Sequence, residues 1–291
     1  MANLKEIRNR IQSVGSTMQI TSAMKMVSAA KLKRAQDSIV QMRPYAEKLR
    51  DILGNLSATL DLSENPFSEV REEKNVLIVP ITSNRGLCGG FNNNIIKRVN
   101  ALLNEHNGTA AVTILPIGKK VKDAFKNSSF INKDEELPNN LEELFNDLTF
   151  ERVAELADLL TDKFIAGNYD KVVIVYNQFV NAAVQKVTIE QLLPIVPAEE
   201  AKDLGTEYIF EPNKQEIVED IIPKTIRIQL FKGILDSWAS EHGARMTAMH
   251  KATDNAGAMK RALTLEYNKA RQAAITAEIL EIVGGAEALN S

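Results

Sequence analysis

The chain has 291 residues, a formal net charge of −3, 44% hydrophobic residues and 25% charged residues. This composition is typical of a soluble globular protein with more than one structural region, and it excludes a general electrostatic attraction to nucleic acid or membrane. The single cysteine, Cys88, excludes an intrachain disulfide and a cysteine metal site, and no apolar run reaches the roughly 18 residues of a transmembrane helix.

The first region, residues 1–60, is predicted to be one long helix of a coiled coil. Stepping by three and four from Leu4 selects apolar residues over about eight heptads. The exceptions, Thr21, Lys25 and Ser28, lie together in the middle of this seam. An ordinary core helix is the alternative, and Pro44 is expected to kink or restart the helix. The N-terminal segment already follows the helical pattern, so we expect no targeting signal there.

The same region carries most of the positive charge of the chain. Residues 1–50 contain ten Lys or Arg residues against three acidic residues, whereas the acidic residues collect later in the sequence. A basic terminal helix on an acidic protein indicates an acidic partner for that helix.

The second region, residues 72–212, alternates strand and helix patterns and is predicted to be a Rossmann-like α/β domain with a largely parallel sheet. Helices are expected over 91–106, 119–127 and 150–167. Strands are expected over 74–82, 110–118, 170–179, 182–195 and 207–212.

The third region, residues 213–291, is predicted to be a second long coiled-coil helix because no proline follows Pro223. Two very long helices at opposite ends of the chain pair most economically in antiparallel fashion, with the α/β domain inserted between them. Residues 270–283 are apolar on nearly every face, so we expect another protein to surround them.

The loop "SNRGLCGGFN", residues 83–92, lies between a predicted strand and a predicted helix. It lacks the GK[ST] ending of a phosphate-binding loop and the G-x-G-x-x-G spacing of a dinucleotide site, so a tight turn is favoured over nucleotide binding. Cys88 has no evident base, since the three histidines form no triad with it, and a packing thiol is the better interpretation. We therefore predict no catalytic residue, cofactor or metal.

Four segments carry a family resemblance. "QITSAMKMVSAAKL", "SNRGLCGGFN", "SEHGARMTAMHKATDNAGAM" and "YNKARQAAITAEILEIVGGAEAL" closely resemble, in the same order, the γ subunit of bacterial F-type ATP synthases. The resemblance implies a non-catalytic central rotor shaft. Its terminal helices would lie inside a ring of α and β subunits, and its α/β domain would form a foot against the ε subunit and the membrane c-ring.

The resemblance also implies a set of partner-contact residues. Lys25, Arg271 and Gln272 are expected to contact the β subunits, although a solvated helix face is the alternative for the last two. Further candidates on the same segments are Met24, Arg245, Arg85 and Cys88. Cations around residues 21–31 and 245–261 would face outwards. The family usually has Asp where this chain has Asn84, so this position carries no charge for a partner contact.

Two other functions remain open at this point. A basic-helix nucleic-acid binder is disfavoured because no aromatic residue precedes Tyr45. An α/β nucleotide-dependent enzyme with helical oligomerisation arms is the second alternative. For the rotor, the resemblance implies a peripheral location on the cytoplasmic face of the bacterial plasma (inner) membrane, without insertion into it. Ion flow through the membrane ring would be proton flow, although the choice between protons and sodium belongs to other subunits.

Overall fold

The computed structural model describes residues 4–59, 66–134, 136–195 and 214–290. Two long helices dominate it: α1 (Leu4–Thr59) and α5 (Lys214–Asn290), of 56 and 77 residues. Each continues through a proline, Pro44 in α1 and Pro223 in α5. The helix therefore does not restart at Pro44. The chain divides into two compact units, residues 1–28 with 246–291 and residues 29–245.

The first unit is an antiparallel pair formed by the beginning of α1 and the end of α5. A Cβ atom built on Gly15 would lie 3.8 Å from Lys260 Nζ, and one on Gly257 would lie 3.8 Å from Met18 Sδ. Residue numbers thus increase along one helix and decrease along the other, so the two helices are antiparallel. Ile7, Thr21 and Ser28 are buried, as the seam predicts. The predicted coiled-coil pairing of the terminal helices is confirmed.

The second unit is built on a four-stranded sheet in the order β2-β1-β3-β4. The strands are β1 (Asn75–Pro80), β2 (Ala111–Ile114), β3 (Lys171–Phe179) and β4 (Gln185–Leu193). The strand β1 pairs in parallel with β2 and β3, whereas β3 and β4 pair antiparallel. The predicted largely parallel sheet is confirmed, and the predicted strand at 207–212 lies outside the described residues.

Helices cover both faces of this sheet. They are α2 (Phe91–Glu105), α3 (Lys119–Phe125) and α4 (Phe150–Ile165), with a short 3-10 helix over Leu141–Phe145 and the first part of α5. Alternate residues of a strand face opposite ways, so Leu77 and Val79 pack with α4 and α5, while Val76 and Ile78 pack with α2 and α3. Burial on both faces explains the continuous apolar run of β1.

The helix α5 approaches the sheet closely where it carries glycine. A Cβ atom on Gly233 would lie 3.0 Å from Ile174 Cδ1, and one on Gly243 would lie 3.1 Å from the Ala182 backbone. Both distances are shorter than ordinary van der Waals contact, so a larger residue would force the neighbouring atoms to shift.

Candidate partner-contact surfaces

The polar middle of the seam is a hydrogen-bonded contact between the two helices of the first unit. The hydroxyl oxygens of Thr21 and Thr253 are 2.8 Å apart. Ser28 Oγ donates to the Met24 carbonyl four residues earlier, at 2.8 Å. A buried hydroxyl group that has a hydrogen-bond partner avoids the desolvation penalty that an unpaired polar group carries. The two helices therefore remain in contact where the apolar pattern of the seam is interrupted.

Met24 and Lys25 lie beside this contact on α1, and both are half-buried. Lys25 forms no ion pair within the described residues. Its ammonium group therefore remains available to an acidic group from outside the described chain. The sequence prediction that it contacts a partner stays a prediction.

The side chains of α5 over residues 275–286 are exposed. Arg271 and Gln272 are exposed, and beyond them five large apolar side chains are between 47% and 71% exposed: Ile275, Ile279, Leu280, Ile282 and Val283. A cluster of exposed large apolar side chains on one helix end marks an interaction site. This segment therefore offers an apolar surface for binding.

In the second unit, the loop 83–92 is a tight turn held by its own side chains. Ser83 N donates to Asn92 Oδ1 at 3.0 Å, and Asn92 Nδ2 donates to Ser83 Oγ at 2.9 Å. Leu87 has a φ of 64°, which is unusual for a residue with a side chain, and it is 65% exposed. The loop thus presents one apolar side chain to solvent from a fixed backbone.

A glycine next to this loop is required by close packing. Gly118 has a φ of 97°, and a Cβ atom there would lie 2.1 Å from the Thr82 carbonyl oxygen. Any other residue would combine backbone strain with a clash.

Arg245 ties the loop to α5. Its Nη1 lies 2.6 Å from Glu241 Oε1, and its Nη2 donates to the Arg85 carbonyl at 3.0 Å. Its Nε donates to the Gly86 carbonyl at 3.4 Å. Arg245 is 7% exposed and Glu241 is 8% exposed. We call this arrangement the Glu241–Arg245 clamp.

The electrostatics of the clamp follow from burial. Desolvation raises the pKa of Glu241, and the neighbouring Arg245 and Lys31 oppose that rise. Burial, with Arg245 and Lys31 nearby, lowers the pKa of His242 to about 3. His242 is therefore neutral at pH 7; its Nδ1 lies 3.4 Å from Arg245 Nη1, and its Nε2 is buried without a partner among the described residues.

The predicted contact residues differ in burial and in the direction of their side chains. Arg245 and Arg85 meet, but through the Arg85 backbone, and the Arg245 side chain points into the protein instead of outwards as the cationic pattern suggested. The sequence patterns did not identify Glu241 and His242 as functional residues. The i, i+4 spacing of Glu241 and Arg245 was the signal that could have indicated their ion pair. Burial raises the pKa of Cys88, which agrees with a packing thiol.

Among the described residues, no group of three or more His, Cys, Asp or Glu side chains is placed to hold a metal ion. None of the helices in that part of the chain has the length and apolarity needed to cross a membrane.

Known proteins match this chain over nearly its whole length. Residues 3–289 match the family model described as "ATP synthase". The ATP synthase gamma chain of Flavobacterium psychrophilum is 60% identical over 291 residues, covering 99% of each chain, and that of Cytophaga hutchinsonii is 50% identical over 301 residues, covering both chains fully. A chain in the Euglena gracilis mitochondrial ATP synthase has the same fold, with a TM-score of 0.66 at 23% identity, over 98% of this chain and 94% of that one.

Proposed function

The chain belongs to the ATP synthase gamma-chain family, whose members are central-stalk subunits of F-type ATP synthases, and on that premise we propose how it works. It acts as a rotor without catalytic groups of its own. It couples ion flow through a membrane ring to ATP synthesis or hydrolysis in a surrounding ring of α and β subunits.

The observation that carries this proposal is the exposed apolar end of α5. A helix end that exposes five large apolar side chains is stabilised in water when another protein covers them. A socket formed by the α/β ring would bury Ile279, Leu280 and Ile282 on their different faces at once.

Torque transmission follows from symmetry. The antiparallel pair of the first unit has no three-fold axis, so in a ring with three-fold symmetry it presents a different face to each catalytic site. Each orientation stabilises a different set of site conformations through its differential contacts. Rotation of the shaft then changes the conformations of the catalytic sites one after another, and ATP hydrolysis at these sites rotates the shaft.

Individual contacts are assigned by unit. On the first unit, Lys25, Arg271 and Gln272 face acidic or polar loops of the β subunits, with Met24 beside them. On the second unit, the loop 83–92, including Arg85, contacts the ε subunit and the c-ring. Arg245 and Cys88 hold that loop from inside, because both are buried. The assembly is peripheral to the cytoplasmic face of the plasma membrane.

The test is co-purification of the tagged full chain from a bacterial host that lacks its own gamma chain. We expect a complex with two larger ring subunits and ATPase activity. A variant carrying Leu280→Asp and Ile282→Asp should lose most of the ring, whereas the matched double variant Glu278→Asp with Glu281→Asp should retain it. Hydrolysis of ATP by the purified chain alone, or a full ring with the first double variant, would refute the rotor assignment.

A further inference from the structure

The turn between α2 and β2 contains the only Asn-Gly pair of the chain, Asn107-Gly108. Both residues are exposed, and Gly108 has a φ of 84°. In an Asn-Gly pair the side-chain amide is open to attack by the following backbone nitrogen, because glycine has no Cβ atom to obstruct the approach. The fold therefore presents a chemically reactive pair in a solvent-exposed turn.

The hydrogen bonds that fix this turn leave both reacting groups unbonded. The His106 carbonyl accepts from Thr109 N at 3.1 Å and from Ala110 N at 3.2 Å, and the Thr109 hydroxyl donates to it at 3.0 Å. In the described part of the chain, no hydrogen bond involves the Gly108 N–H group or the Asn107 side-chain amide. The Gly108 nitrogen therefore breaks no hydrogen bond when it attacks.

A second exposed asparagine shows the opposite arrangement. Asn127, just after α3, is followed by Ser128, whose small side chain also obstructs attack only weakly. The Ser128 N–H group, however, donates to the Phe125 carbonyl at 2.8 Å, and the Ser128 hydroxyl donates to the same oxygen at 2.8 Å. Attack from this nitrogen first costs a hydrogen bond, so Asn127 is an internal reference for Asn107.

We propose that Asn107 is a site of spontaneous deamidation in the folded chain. The Gly108 nitrogen loses its proton to hydroxide and attacks Asn107 Cγ, which closes a succinimide ring. The Cγ–Nδ2 bond breaks, and the side-chain nitrogen takes a proton from water and leaves as ammonia. Water then opens the ring at either carbonyl, giving aspartate or isoaspartate, so the net reaction exchanges a neutral amide for a carboxylate. This chemistry does not depend on the proposed rotor function.

The two products differ in their effect on the start of β2. Both place a negative charge in a turn that already has Glu105 on one side and His106, whose Nε2 is 3.8 Å from Glu73 Oε2, on the other. Isoaspartate also lengthens the main chain by a methylene group, because the chain then runs through the former side chain. The Ala111 N–H group, which donates to the Lys74 carbonyl at 2.7 Å, lies directly after this turn. Isoaspartate should therefore loosen that bond more than aspartate does.

The test incubates the full folded chain at several pH values above neutrality and digests it at acidic pH, where the reaction does not proceed. Mass spectrometry with fragmentation of the peptides measures conversion at Asn107 and Asn127 in the same sample. Carboxyl methylation by a protein isoaspartyl methyltransferase detects isoaspartate independently. We expect conversion at Asn107 to be at least about tenfold faster than at Asn127. Its rate should rise about tenfold per pH unit, since the attacking nitrogen must be deprotonated.

The variant Ser128→Gly separates sequence from structure. It makes a second Asn-Gly pair, but the backbone N–H group of residue 128 keeps its bond to the Phe125 carbonyl. In the folded variant, Asn127 should still react at least about fivefold more slowly than Asn107, because that bond must break first. In urea the two sites should react at equal rates.

The proposal is overturned if Asn107 in the folded wild type reacts no faster than Asn127, or reacts only after unfolding in urea. Equal rates at the two sites in folded Ser128→Gly would overturn the argument from hydrogen bonding. The structural consequence is measured by hydrogen exchange of the Ala111 amide. It should be at least about fivefold faster in chains carrying isoaspartate than in Asn107→Asp, and equal exchange would contradict the loosening of β2.

Discussion

The Glu241–Arg245 clamp allows a quantitative test of how the loop 83–92 is held. Arg245→Met removes the guanidinium but keeps most of the apolar stem. It leaves Glu241 buried without its ion-pair partner, and it leaves the Arg85 and Gly86 carbonyls without their donor. Removing one partner of a buried ion pair costs about 3–5 kcal/mol.

The double variant Glu241→Gln with Arg245→Met separates the two contributions. It removes the unpaired charge of Glu241, so the only remaining cost is the loss of the hydrogen bonds to the two loop carbonyls. This loss lowers the free energy of unfolding by about 1–3 kcal/mol. We therefore expect the double variant to be more stable than Arg245→Met alone. The difference should shrink as the pH falls, because protonation of Glu241 removes its charge in the single variant.

The assay is urea unfolding followed by tryptophan fluorescence. Trp238, the only tryptophan of the chain, contacts the His242 ring edge-to-face at a centroid distance of 5.5 Å and so reports on the clamp. Hydrogen exchange of amides 84–92 gives an independent measure of loop opening. Equal free energies of unfolding for the single and double variants at pH 7 would refute the argument that Arg245 neutralises a buried carboxylate.

Three further predictions concern the shaft and the buried histidine. Lys25→Glu with Arg271→Glu should change the number of ions pumped per ATP more than it changes assembly, since ion pairs of partly exposed side chains contribute only about 0.2–1 kcal/mol each; unchanged pumping per ATP would remove both residues from the mechanism. Ala256→Leu should destabilise the helix pair by about 1–3 kcal/mol because Ala256 is buried, whereas exposed Ala258→Leu should be nearly silent; equal melting temperatures would contradict this packing. The pKa of His242 is lowered to about 3 in the folded chain, so the unfolded state takes up the proton first. Between pH 6.5 and about 3, wild type should therefore lose about 1.4 kcal/mol of stability per pH unit relative to His242→Gln, and parallel pH profiles for the two proteins would exclude a buried neutral His242.

Much of the architecture follows from local pattern. The three- and four-residue spacing from Leu4 predicts α1, and the absence of proline after Pro223 predicts α5. The apolar runs at 74–82 and 170–179 predict the two central strands, since strands buried on both faces need no alternation. These signals are local because helix and strand periods are properties of neighbouring residues.

The sequence alone determined the long helices, the central strands and the family, because periodicity and motif order are written along the chain. Only the tertiary structure decided that Arg245 turns inwards to Glu241 and the loop carbonyls, although its sequence context is that of a surface cation. It also decided that the backbone of Ile114 bonds to the backbone of Phe130 and Asn132. Both outcomes depend on residues distant in sequence that fold to the same place, and no local pattern encodes burial or pairing across such distances.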